Sequence, residues 1–97
     1  MDDLVARWQA FQAKPFPHTS AGCEIERFDL VTLDTYTAGC ISTYIERKGQ
    51  LDTQWRAILQ TCIQDLQMVT AQLQGADQAY FMQLLRLASE CYDRSVS

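Results

Sequence analysis

Residues 55–73 read WRAILQTCIQDLQMVTAQL, and this stretch decides the fold. Trp55, Ile58, Leu59, Cys62, Ile63, Leu66, Val69 and Leu73 recur at steps of three and four, the spacing of one buried stripe on an α-helix. The rest of the stretch carries almost no charge. Between Ala57 and Ala76 the only side chain ionised at neutral pH is Asp65. A helix that covers one flank and shows the other to water normally carries Lys, Glu or Arg outside. Here Gln60, Gln64, Gln67, Gln72, Thr61, Thr70 and Ala71 stand there instead. The pattern predicts the central helix of a small bundle, touched on more than one side.

On either side of it the punctuation repeats. Upstream, Gly49 closes a preceding helix as a left-handed C-cap would, and Asp52 or Thr53 then caps the central one. Downstream, Gly75 closes the central helix, and Asp77 opens a final helix to about Asp93. Its stripe is Tyr80, Phe81, Leu84, Leu85, Leu87, Ala88, Cys91 and Tyr92. Such short links imply antiparallel helical hairpins.

The preceding helix runs from an N-cap at Asp29 to Arg47. Its apolar set is Leu30, Leu33, Thr37, Cys40, Ile41, Tyr44 and Ile45. The Thr and Ile content makes it a mediocre helix former, but a strand of that length would be far outside the usual range. Gly39, in mid-helix, costs around 1 kcal/mol against Ala. A close crossing by another backbone is the expected reason.

Residues 23–28 alternate Cys23, Ile25 and Arg27 with Glu24, Glu26 and Phe28, and read as a loop or irregular turn; a brief extended run and a leading helical turn are equal rivals. Further upstream, Asp2 to Ala13 form a short first helix with Leu4, Val5, Trp8, Phe11 and Ala10 on its buried side. Pro15 and Pro17 break it, because each removes a donor and disfavours helix at the residue before it. The expectation is an all-α fold, a small four-helix bundle. It comprises a short N-terminal helix, a Pro-containing loop, then three helices joined by tight turns, as a single helical domain over 1–97.

Size and composition fit that expectation. A chain of 97 residues buries about two-thirds of the surface its unfolded form exposes, enough for one core but not for a deep enclosed active site. Apolar residues at 47% and charged residues at 21% are ordinary globular values, which argues against wholesale disorder. The net charge of -4, with basic residues scattered, leaves no basic patch for phosphate. No nucleic-acid partner is expected. Asp2 and Asp3 oppose the basic start of a signal peptide, and no apolar run is long enough for a membrane span. The expected setting is therefore cytoplasmic, with no membrane partner.

Cys23, Cys40, Cys62 and Cys91 are even in number, yet three of them sit at apolar positions of helical patterns, where reduced Cys behaves as a small hydrophobe. Four free thiols are expected rather than a disulfide framework. No C-x-x-C pair exists and His18 is the only histidine, so no metal site and no cofactor are expected.

The residues able to carry chemistry each have a bland alternative. His18, in the Pro-rich loop with Cys23 nearby, could form a Cys–His nucleophilic pair. No strained elbow or glycine-rich oxyanion loop supports it, and an exposed loop histidine is the usual case. Asp34 sits in the densest part of its helix and, if partly buried, wants Arg56, Arg27 or a tyrosine hydroxyl. Asp65, the lone acid of the central helix, either faces water or meets Arg86. Tyr36, Met68, Tyr80 and Met82 fall away from, or at the edge of, the buried stripes, and aromatic and Met enrichment marks association surfaces.

The leading functional expectation is a non-enzymatic interaction, adaptor or regulatory protein of bacterial type, self-associating as a homodimer through the charge-poor helix. Its interface would use Gln60, Gln64, Gln67, Met68, Ala71 and Tyr80. The alternative is a small-molecule binder, with Phe16, His18, Asp34, Tyr36, Tyr44 and Trp55 around a pocket near Gly39. A thiol- or metal-dependent enzyme ranks third.

Overall fold

The computed structural model describes residues 2–15, 24–25 and 28–95. Phe16, Pro17, His18 and Cys23, with the readings placed on them, lie outside the described residues. The elements are α1 (Asp2–Gln12), β1 (Glu24–Ile25), β2 (Phe28–Asp29), α2 (Leu30–Glu46), α3 (Thr53–Thr70) and α4 (Gly75–Arg94). The protein is an all-α four-helix bundle with one small embellishment. β1 and β2 pair antiparallel, Glu24 opposite Asp29 and Ile25 opposite Phe28, so the described residues of the segment expected to be a loop or irregular turn are extended; Cys23, Glu26 and Arg27 lie outside the described residues.

Each helix starts and stops for a local reason. Asp29 caps α2, its Oδ1 accepting from the amides of Val31 (2.9 Å) and Thr32 (3.3 Å). Asp52 caps α3 through Trp55 N (2.8 Å). These bonds satisfy donors that a helix N-terminus otherwise leaves orphaned. At the other end of α2 the Gly49 amide donates to the Tyr44 carbonyl (2.8 Å) and the Lys48 amide to that of Ile45 (3.1 Å). That is a Schellman motif. Its left-handed residue is Lys48 (φ 54), with Gly49 (φ 89) following it. The left-handed cap expected at Gly49 is thus shared with a lysine.

The boundary between α3 and α4 differs from expectation. α3 ends at Thr70 rather than near Leu73, and Gly75, with φ +64, opens α4 instead of closing α3. The Thr70 hydroxyl donates to the Leu66 carbonyl (2.8 Å), and the Thr70 carbonyl accepts from Gln78 Nε2 (3.0 Å). A side chain of the next helix therefore takes the carbonyl that would otherwise extend α3.

The core also has a different centre. α4 packs against α1, α2 and α3, while the main contacts of α3 are with α2 and α4. Phe81, Leu84, Leu87, Ala88 and Cys91 of α4 are buried with Leu59, Cys62, Leu66 and Val69 of α3. Leu30, Leu33, Cys40, Ile41 and Tyr44 of α2 and Leu4, Trp8 and Phe11 of α1 complete the cluster. Val5 is only half-buried and Ala10 is exposed. The scarcity of charge on α3 thus does not reflect a central position; its outer side, including Ile58 of the expected stripe, is open.

Among the described residues no backbone crosses at Gly39. A Cβ built there meets no atom within 4 Å, so the glycine floors open space on the outside of α2. Gly39→Ala should therefore stabilise the single chain by about 0.5–1 kcal/mol through helix propensity. Gly75→Ala, forced into the left-handed region, should destabilise it by about 1 kcal/mol or more. Urea denaturation at sub-micromolar concentration measures both; a loss of stability in Gly39→Ala would contradict the open space.

Candidate functional site

The outer surfaces of α2 and α3 form one uncharged face. Along α2 the exposed residues before Glu46 are Val31, Thr32, Thr35, Tyr36 and Gly39. No exposed residue of α3 is charged, and its two ionised side chains, Arg56 and Asp65, are half-buried. Among the described residues the exposed large hydrophobic side chains are Val31, Tyr36, Ile58 and Met68, all on these two helices. Tyr36 protrudes most, at 64% exposed.

The threonines make this face less polar than their names suggest. The hydroxyls of Thr35, Thr43 and Thr61 donate to the carbonyls of Val31 (2.9 Å), Gly39 (2.8 Å) and Ala57 (3.1 Å), each four residues back. A hydroxyl turned back onto its own helix has no proton to offer outward. Each such threonine then presents chiefly its methyl group.

A groove of about 590 Å³ runs along this face between the helices. Leu33, Thr35, Tyr36 and Gly39 line it from α2, and Trp55, Ile58, Thr61, Cys62 and Asp65 from α3. Asp65 is the one carboxylate in it. Burial pushes its carboxyl above the ordinary range, and among the described residues it forms no ion pair. The anticipated Arg86 is exposed and lines a separate cleft on the α1–α4 side, with Arg7, Met82 and Gln83.

Cys40, Cys62 and Cys91 are free thiols, all buried. Beneath the groove, interaction between Cys40 and Cys62, together with burial, holds Cys40 far above the usual thiol range. The same interaction lowers Cys62. Thr37 adds little there, since its proton is committed to the Leu33 carbonyl at 2.8 Å. Burial pushes Cys91 up to about 12. Among the described residues no group of three or more His, Cys, Asp or Glu side chains is placed to hold a metal ion.

Of the ligand-binding residues read from the sequence, Tyr36 and Trp55 come together across Gly39. Tyr44 does not join them: it is 1% exposed and belongs to the core. Asp34 turns away from the groove toward α4, where its Oδ1 accepts from the Tyr80 hydroxyl at 2.9 Å. A tyrosine, and not Arg56, is its partner; Arg27 lies outside the described residues. Arg56 instead bonds the Ser95 carbonyl (3.0 Å) and hydroxyl and covers the Tyr92 ring at 4.6 Å. Of the interface residues, Gln60, Gln64, Gln67, Met68 and Ala71 are exposed in the single chain. Tyr80 is half-buried, its ring packed on Phe11 and Phe81 at 4.7 and 5.1 Å.

Three features of the face were missed at the level of sequence: the open floor at Gly39, the threonine back-bonding, and the outward direction of α2. The run Thr32, Thr35, Tyr36, Gly39, at helical spacing and without charge, was the available signal for the last. Compared with models of protein families, with curated proteins and with solved structures, the chain gives no match.

Burial raises the Asp34 carboxyl, against the lowering effect of the Tyr80 hydrogen bond. The folded state therefore binds its proton more tightly than the unfolded chain, and ionisation of Asp34 costs stability as pH rises. Asp34→Asn keeps an oxygen for Tyr80 and removes the charge. It should be more stable than the parent at pH 7, the gain shrinking on acidification and vanishing below about pH 4, the unfolded value. Urea midpoints measured from pH 4 to 8 test this; a pH-independent difference would contradict it.

Proposed function

We propose that this protein is a non-enzymatic interaction module that pairs with a second copy of itself through the outer face of α2 and α3. The observation carrying this is the distribution of charge. The α1–α4 side bears Asp3, Arg7, Glu90 and Arg94, linked by ion pairs, whereas the α2–α3 side exposes apolar and neutral groups around an open groove. An uncharged face meets its own copy without burying an unpaired ion, which would be costly. Protruding aromatic and Met side chains are the anchors that association surfaces favour. An adaptor or regulatory role in the cytoplasm belongs to the same proposal. The free thiols support that compartment.

Sedimentation equilibrium at micromolar concentration should show a dimer. Ile58→Glu places a like charge on both sides of the contact. It should weaken association at least tenfold while leaving the helical circular-dichroism signal unchanged. A monomer for the parent chain across the whole concentration range would remove the proposal.

A second reading, a small apolar ligand held in the groove, is favoured by one observation: the Trp55 and Tyr36 walls on either side of the Gly39 floor. Such a ligand would raise the melting temperature in proportion to its occupancy, and Gly39→Leu would abolish the shift. A metabolite panel that produces no shift counts against it.

A further inference from the structure

We propose that the two copies pair antiparallel along α2, each Tyr36 seated over the Gly39 of the partner subunit. This rests on the self-association proposed above and specifies its geometry. Thr32, Tyr36, Gly39 and Thr43 lie at steps of four, three and four along α2. At 100° per residue they fall within one narrow strip of the helix surface. The spacing reads the same from either end. A two-fold axis crossing α2 between Thr37 and Ala38 therefore sets Tyr36 against the partner's Gly39, and Thr32 against the partner's Thr43. An isologous contact requires that kind of self-complementarity.

The side chains match in shape as well as in register. Tyr36 is 64% exposed, a knob with no cover from its own chain. Gly39 offers the hole, because a Cβ there meets nothing within 4 Å and the groove opens beside it between α2 and α3. The Thr43 hydroxyl is already bonded to the Gly39 carbonyl at 2.8 Å, so burying that threonine leaves no unsatisfied donor. A glycine in mid-helix, unfavourable within the chain and unneeded by any intrachain contact, acquires a reason: it admits the ring of the other copy.

The helix dipoles favour the antiparallel orientation over the parallel one. Asp29 stands at the N-terminal end of α2, and Glu46, Arg47 and Lys48 at its C-terminal end. Antiparallel pairing sets Asp29 across from the partner's Glu46, with Arg47 and Lys48 beside that contact, and opposes the two helix dipoles. Parallel pairing would align the dipoles and stack like upon like.

The test uses the full chain with Cys23→Ser as background, since Cys40, Cys62 and Cys91 are buried. Thr32→Cys and Thr43→Cys chains are prepared separately, then mixed, and oxidised with diamide. A disulfide-linked dimer is expected in the mixture and in neither chain alone. Gly39→Leu fills the hole without disturbing the helix, and Tyr36→Ala removes the knob. Each should weaken the dimer at least tenfold in sedimentation with helicity retained. Should the parent dimerise while the mixture fails to cross-link, or while either chain cross-links with itself, the antiparallel α2 seam is overturned and self-association stands. Persistence of the dimer in both Gly39→Leu and Tyr36→Ala has the same consequence. A parent chain that stays monomeric overturns both.

Discussion

The bundle depends on the broad apolar side of α4. Phe81, Leu84, Leu87, Ala88 and Cys91 are buried from three directions at once. Removing apolar area from water is the dominant favourable term in a domain of this size. The apolar inner surfaces of α1, α2 and α3 are directed at this helix, and α2 and α3 also pack on each other. Their far sides are left unopposed. The open face is thus a product of where the core sits, and its chemistry is then set by what the sequence places outside.

The two sides of the molecule are finished differently. Toward α1 and the end of α4, Arg7 Nη2 donates to both oxygens of Glu90 at 2.7 Å, Arg94 meets the same carboxylate at 2.8 Å, and Arg56 lies over Tyr92. These are partly exposed pairs, each worth little on its own, but they fix registers and keep that side hydrated. Toward α2 and α3 the exposed polar groups are neutral, and several are turned back onto the helices. Threonine hydroxyls bond their own helices, and the one carboxylate of the groove, Asp65, is half-buried.

Helix periodicity, caps and turns were legible because they are local. Asp29 and Asp52 cap where a carboxylate precedes an apolar period, and the α2–α3 turn falls at Lys48 and Gly49 as glycine chemistry requires. What could not be read was long-range. The absence of charge from Ala57 to Ala76 looked like enclosure, when the enclosed helix is α4. Charge-free and buried are different conditions, and sequence pattern reports only the first. Gly39 was misjudged for a related reason: a missing side chain signals that space is needed, without saying whether the chain itself fills it. Asp34 found Tyr80 across 46 positions of sequence, a pairing no periodicity encodes. Tyr44 looked like a pocket wall and is core, because its side of α2 faces α4.

The Arg7–Glu90 contact spans 83 positions of the chain, whereas α2, α3 and α4 follow one another through tight turns. Hairpin contacts close small loops and form quickly; joining the two ends of the molecule closes nearly the whole chain and carries the larger entropic cost. α1 is thereby the last piece to settle and the first to lift, held by Leu4, Trp8 and Phe11 and by an ion cluster that salt screens. Its apolar side chains belong to the one core cluster, so opening at this end would expose Trp8 and Phe11 together with the side of α4 they cover, at the far side of the molecule from the α2–α3 face.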